Sequence, residues 1–148
     1  MNIIAVKFLK CRDNALLPTY GTEESAGADI YSANEENIVI QPNETVLIPT
    51  GFKTAIERGF CAQVYPRSGL ASKQGLRLAN CVAIIDSDYR GEWFVPLHND
   101  SNEERVIEPQ TRIAQMMLAR VPKINFIEVD TLDETVRGEG GFSSTGIH

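Results

Sequence analysis

"TVLIPTGFKTAIERGFCAQVYP", residues 45–66, decides the fold class. It holds the apolar runs 45–51, 51–56 and 60–66, separated by Pro49-Thr50-Gly51 and Glu57-Arg58-Gly59. Each run is too short for a helix and rich in β-branched and aromatic residues, and the breaks carry turn chemistry. The same punctuation extends in both directions. Strands are expected over 3–9, 37–41, 76–81, 82–86, 92–99, 112–121 and 124–129, with turn residues roughly every eight to twelve positions. The pattern predicts an all-β, jelly-roll-like barrel or sandwich. Pro49, Pro66 and Pro96 fall inside or beside these runs, which points to edges and bulges there. Only "SGLASKQG", 68–75, reads as a short helix, with Gly75 as its stop. "RIAQMMLAR" is built of helix formers, yet it has no N-cap and Pro122 closes it, so it is read as strand.

A chain of 148 residues is one domain by length, with 43% apolar and 23% charged residues and a net charge of −6. That acidity disfavours a nucleic-acid-coating role, which needs a basic footprint, but leaves small anionic ligands open. Cys11, Cys61 and Cys81 are odd in number and widely spaced, so neither a zinc site nor a disulfide framework is indicated; small buried hydrophobes are expected. The N-terminal apolar run stops at Lys7, too short for a signal-peptide core or a membrane span, and a cytoplasmic location is expected. The chain divides into a barrel over 1–136 and a glycine-rich tail over 137–148, "RGEGGFSSTGIH", expected to be mobile in the free protein.

"AIIDSDYRGEW", 83–93, raises the functional question, because Asp86 stands at the seam between a buried-looking strand and a turn. Four further segments carry polar residues in unusual places. "AGADIYSA" (26–33) holds Asp29, and "PRSGLASK" (66–73) puts Arg67, Ser68 and Gly69 at a strand-to-helix junction suited to an anion. "RIAQ" (112–115) offers Gln115, and the tail offers Arg137, Phe142 and Ser143. With Asn80, Asp86 and Tyr89 in the central segment, this set resembles the five ordered motifs of the trimeric dUTPase family over nearly the whole chain, Ala26 to Gly146.

The resemblance implies a homotrimer that hydrolyses dUTP to dUMP and pyrophosphate with Mg²⁺, its sites shared between subunits and its tail closing over a neighbour's site. It makes Asp86 the carboxylate that activates the attacking water. Tyr89 becomes the ring pressed on the deoxyribose that excludes a 2′-hydroxyl. Asn80 and the backbone of Ile84 and Ile85, on a hairpin formed by 76–81 and 82–86, would read uracil, with Phe94 touching the same base pocket. Arg67, Ser68, Gly69 and Gln115 would cradle the polyphosphate. Lys73 is as well explained by a solvated helix face, and Asp88 by a turn. Asp29 is expected to reach Mg²⁺ only through water, since that ion keeps most of its water shell. Arg137 would clamp the γ-phosphate, and Phe142 with Ser143 would close over the base.

The chain departs from the family pattern at Ala83 and Ser143, where glycine is usual. A dCTP deaminase shares the fold class, but it calls for a glutamate-centred site; Asp-Tyr-Arg-Gly and the Arg-to-Gly tail favour dUTP hydrolysis. A nucleotide-sensing regulator on the same scaffold is a further alternative.

Overall fold

A computed structural model describes residues 3–142. Twelve strands and one helix occur among them: β1 (Lys7–Lys10), β2 (Thr19–Tyr20), β3 (Ala28–Tyr31), β4 (Ile38–Ile40), β5 (Thr45–Pro49), β6 (Phe52–Ala55), β7 (Phe60–Tyr65), α1 (Ser68–Gln74), β8 (Leu76–Leu78), β9 (Ala83–Ile85), β10 (Phe94–Asn99), β11 (Arg105–Ile107) and β12 (Arg112–Arg120). They form a five-stranded sheet ordered β2-β3-β12-β7-β9, a three-stranded sheet β5-β10-β8, and the two-stranded pairs β1-β6 and β4-β11. Every pairing is antiparallel. The all-β, jelly-roll-like architecture read from the sequence is the one the chain adopts.

Alternation builds the core. In β7, Cys61, Ala62 and Val64 turn inward while Gln63 and Tyr65 stay half-exposed; in β10, Val95, Leu97 and Asn99 are buried. Of these, Ala62, Val64, Val95 and Leu97 meet Ile30, Ile40, Ile48, Phe52, Leu76, Leu78, Ile107 and Ile113 in one cluster. Phe52 sits at the centre of an aromatic row, 4.8 Å from Phe8 and 5.1 Å from Trp93 between ring centroids. Trp93 keeps its indole N–H satisfied on the Thr54 hydroxyl at 3.2 Å, as a buried polar donor requires. Burying each such side chain stabilises the fold by about 1.5–3 kcal/mol.

The helix ends where expected. Gly75 takes φ 66°, and its N–H caps the Leu70 carbonyl. A side chain there would meet Ser101 at 3.2 Å as well as adopt an unfavourable φ. The helix-rich 112–120 segment is a strand because it is captured between β3 and β7, with a register irregularity between Arg112 and Ala114.

Several expectations fail for identifiable reasons. The 124–129 segment forms no strand; Ile124, Phe126 and Ile127 stand exposed with no ladder partner among the described residues. The runs 76–81 and 82–86 do not form a hairpin: β8 pairs with β10, and β9 pairs with β7 in a different sheet. Pro96 lies in the central strand of its sheet, not at an edge. It stands where the β8 ladder ends: its carbonyl accepts the Ala79 N–H at 2.8 Å, and the return bond that a proline cannot donate is absent. Cys61 is buried, but Cys11 and Cys81 are exposed. The first strand starts at Lys7 rather than residue 3, and β2, β3 and β11 have no counterpart among the expected strands.

Candidate active site

Two clefts gather half of the residues singled out in the sequence, Ser68 and Gln115 in one and Ile84, Ile85, Asp86, Tyr89 and Phe94 in the other. The first, of about 450 Å³, is lined by Ala26, Gly27, Tyr65, Pro66, Ser68, Gln115, Met116 and Met117. Its floor spans β3, β12 and β7, where Gln115 stands opposite both Asp29 and Tyr65. The Gln115 amide donates to the Pro66 carbonyl at 2.9 Å and is thereby held beside Ser68. Gly27 makes room for it: a Cβ at that position would lie 2.6 Å from Gln115 Oε1. Arg67, the N-cap of α1, makes no capping bond with its side chain. Its Nε donates instead to Asp29 Oδ1 at 2.9 Å, and Arg112 Nη1 reaches Asp29 Oδ2 at 3.4 Å. Ser68 and Gly69 open the helix, so their N–H groups have no acceptor within it.

The second cleft, of about 270 Å³, is lined by Ile84, Ile85, Asp86, Tyr89, Glu92, Trp93 and Phe94. β9 is the edge of its sheet, paired with β7 on one side only, so one row of its backbone polar groups has no ladder partner among the described residues. A free edge, rather than a hairpin, therefore presents the Ile84–Ile85 backbone. Ala83 is buried and opposes Val64, a place where a small side chain fits without strain. Asp86 closes the strand and opens a turn, with the Tyr89 N–H on its carbonyl at 3.2 Å. Its exposed carboxylate has no cation partner among the described residues, and it also borders a third hollow with Arg58 and Lys123. The Tyr89 hydroxyl donates to the Glu92 carbonyl at 2.9 Å.

Not every expected residue joins these clefts. Asn80 lies on the exposed turn after β8 and lines neither. Arg137 turns its guanidinium to the Gly140 carbonyl at 2.9 Å, and Phe142 is fully exposed. Ser143 lies outside the described residues. Both Asp29 oxygens face arginines, which leaves that carboxylate the work of holding Arg67. Among the described residues there is no cluster of three or more metal-ligating side chains. Glu92, Trp93, Gly27 and Tyr65 line the clefts although sequence reasoning does not single them out; Glu92 follows the Asp-Tyr-Arg-Gly run directly, and that adjacency is the available signal.

The two clefts are far apart in one chain. Ile85 opposes Ala62 on β7, so Asp86 stands level with Cys61, while Gln115 opposes Tyr65. Ordinary strand rise and spacing then separate Asp86 from Gln115 by about 16 Å between Cα atoms.

A family profile described as dUTPase matches residues 13–146. The deoxyuridine 5′-triphosphate nucleotidohydrolase of Rickettsia prowazekii (strain Madrid E) is 48% identical over 149 residues, covering 99% of this chain and 100% of its own. That of Finegoldia magna is 48% identical over 135 residues, 91% of this chain and 94% of its own. Among solved structures, a Staphylococcus bacteriophage 80alpha dUTPase with dUpNHpp superposes with a TM-score of 0.86 at 24% identity, covering 97% of this chain and 99% of that one. A point mutant of the dUTPase from phage phi11 of S. aureus, described as revealing the coordination of a structural Mg(II) ion, gives a TM-score of 0.79 at 20% identity, covering 88% and 99%.

Proposed function

The chain belongs to the dUTPase family of nucleotide hydrolases, and from that premise we propose that it cleaves dUTP to dUMP and pyrophosphate by Mg²⁺-assisted attack of water on the α-phosphorus. Such an activity keeps uracil out of DNA and supplies dUMP for dTMP synthesis, and its place is the cytoplasm, where nucleotide pools turn over. No helix among the described residues is long and apolar enough to cross a membrane.

The observation that carries this reading is the second cleft, where an exposed carboxylate shares walls with a free strand edge and three aromatic residues. Asp86 orients a water and takes its proton as the oxygen bonds to the α-phosphorus; the α–β bridging P–O bond breaks and its electrons leave with pyrophosphate. Ile84 and Ile85 offer backbone groups to the uracil edge, Tyr89 packs on the deoxyribose, and Phe94 flanks the base. Asn80 reaches the base from the adjoining turn. Arg67, Ser68, Gly69 and Gln115 bind the phosphate chain and meet the charge that builds on the leaving group.

The donor set fits a metal that arrives with the nucleotide. Mg²⁺ takes its shell from water and phosphates, so it needs no direct protein ligand, and Asp29, paired with Arg67 and Arg112, would meet it only through water. When bound, the ion would neutralise phosphate charge.

Asp86 and the phosphate-cradle residues Ser68 and Gln115 line different clefts, which supports a site assembled from more than one subunit. The exposed Ile124, Phe126, Ile127 and Leu132 supply an apolar strap suited to a second copy of the chain, in keeping with a homotrimer. Residues 1–136 then act as the barrel unit, and 137–148 as a tail carrying Arg137 to the γ-phosphate and Phe142 with Ser143 over the base of a neighbour's site.

Pyrophosphate release measured across deoxy- and ribonucleoside triphosphates, with and without Mg²⁺, tests the reading. Hydrolysis confined to dUTP, and abolished with binding retained in Asp86→Asn, is the expected result. Ammonia from dCTP, or an active Asp86→Asn variant, would overturn it.

A further inference from the structure

Tyr89 stands on a short surface loop, 43% exposed, yet sugar selection needs its ring fixed. Two contacts hold it. The ring folds back over Gly91, where a Cβ would overlap the hydroxyl and lie 2.6 Å from Cζ. The hydroxyl donates to the carbonyl of Glu92, so the ring is only as steady as that residue.

Glu92 is in turn held from a distant part of the chain. Arg12, on the loop after β1, grips its carboxylate with both arms of the guanidinium, Nε on Oε1 at 2.5 Å and Nη2 on Oε2 at 3.1 Å. The Cys11 thiol adds a contact at 3.4 Å. Arg12 is itself pinned, since the N–H groups of Cys11 and Arg12 both donate to the Gly51 carbonyl, at 2.8 and 3.3 Å. Gly51, at φ 73°, lets the chain approach: a side chain there would meet Ala15 and Ala33 at 2.8 Å and the Arg12 Cβ at 3.1 Å. The Glu92 side chain is only 12% exposed, and a forked arginine–carboxylate contact is the most orienting kind of ion pair. Glu92 lines the nucleoside cleft, whereas Arg12 does not.

From this chain of contacts we infer that Arg12 is a positioning residue for sugar selection, acting through Glu92 to hold Tyr89 where a 2′-hydroxyl would collide with it. The inference rests on the dUTP reading of this cleft and adds to it a residue 80 positions away in sequence that has no part in the chemistry.

The experiment compares kcat/KM for dUTP and for UTP in the wild type, Arg12→Ala, Arg12→Lys and Gly91→Ala, alongside thermal melting. The expected result is a dUTP/UTP preference reduced at least tenfold in Arg12→Ala and Gly91→Ala, through KM and through gained UTP turnover, with Arg12→Lys in between. A lower melting temperature with the preference unchanged would assign the pair a merely structural role and overturn the inference. If Arg12→Ala does not fold, Arg12→Lys and Glu92→Gln carry the same comparison, and an unchanged preference in both has the same force. A wild type that shows no preference for dUTP over UTP would overturn the reading of Tyr89 and the inference together.

Discussion

Replacing Gly27 by alanine should leave the fold standing and cripple the phosphate cradle. The added methyl would lie 2.6 Å from Gln115 Oε1 and 3.3 Å from its Cβ and Cδ, so Gln115 must turn aside. Turning breaks its bond to the Pro66 carbonyl, which costs about 1 kcal/mol. An off-rotamer side chain costs about 1 kcal/mol more. The two sum to about 2 kcal/mol, or a melting temperature lower by about 4–8 °C for a chain of this size. The kinetic loss should be larger than that stability loss suggests. A charge-assisted contact from Gln115 to phosphate contributes about 1.5–3 kcal/mol, so kcat/KM should fall about 10- to 100-fold. Pyrophosphate release at a temperature well below melting measures the rate, and calorimetry the stability. Wild-type kcat/KM in Gly27→Ala, or activity lost only in step with unfolding, would refute this account of Gln115.

Other outcomes follow from the same geometry. Asp86→Asn and Arg67→Ala, each expected to be inactive alone, should regain partial activity when refolded together if the proposed shared site takes Asp86 from one chain and Arg67 from another; a mixture as inactive as its parts would place both groups in one chain. Deleting residues 137–148 should lower turnover at least tenfold while leaving the melting temperature within about 2 °C, since the tail packs on none of the buried core among the described residues. Burial would raise the Glu92 carboxyl, but the hydrogen bonds from Arg12 and Cys11 and the Arg12 charge outweigh it and hold the group below its ordinary value. A carboxyl lowered in the fold contributes stability that is complete above its unfolded pKa and lost as pH falls through the folded one. The melting difference between wild type and Glu92→Gln should therefore be largest at neutral pH and shrink in acid; a difference that grows in acid would contradict it.

What the sequence disclosed follows from the range over which its signals act. Strands β4 to β7 were legible because each is an apolar run ended by Pro, Gly or Asx residues, and the stop at Gly75 was legible because only glycine takes that φ without strain. β11 escaped notice because Arg-Val-Ile between acidic neighbours carries little apolar pattern, and its strand character comes from pairing with β4. The 124–129 segment shows the opposite case: its apolar side chains were legible, but a partner for them is not found among the described residues. Within the site, Asp86, Tyr89 and Phe94 were legible from one contiguous run. The Arg12–Glu92 grip joins residues 80 positions apart, and no local pattern announces it. Asp29 was legible as a polar residue in an unusual place, but a lone carboxylate in a sequence does not reveal that two arginines will converge on it.

The most direct test of the account is hydrolysis of dUTP in ¹⁸O-labelled water, with mass spectrometry of both products. Attack at the α-phosphorus, guided by Asp86, places the label in dUMP and leaves pyrophosphate unlabelled. Label found in pyrophosphate would move the attack to the β-phosphorus and contradict the role given to Asp86.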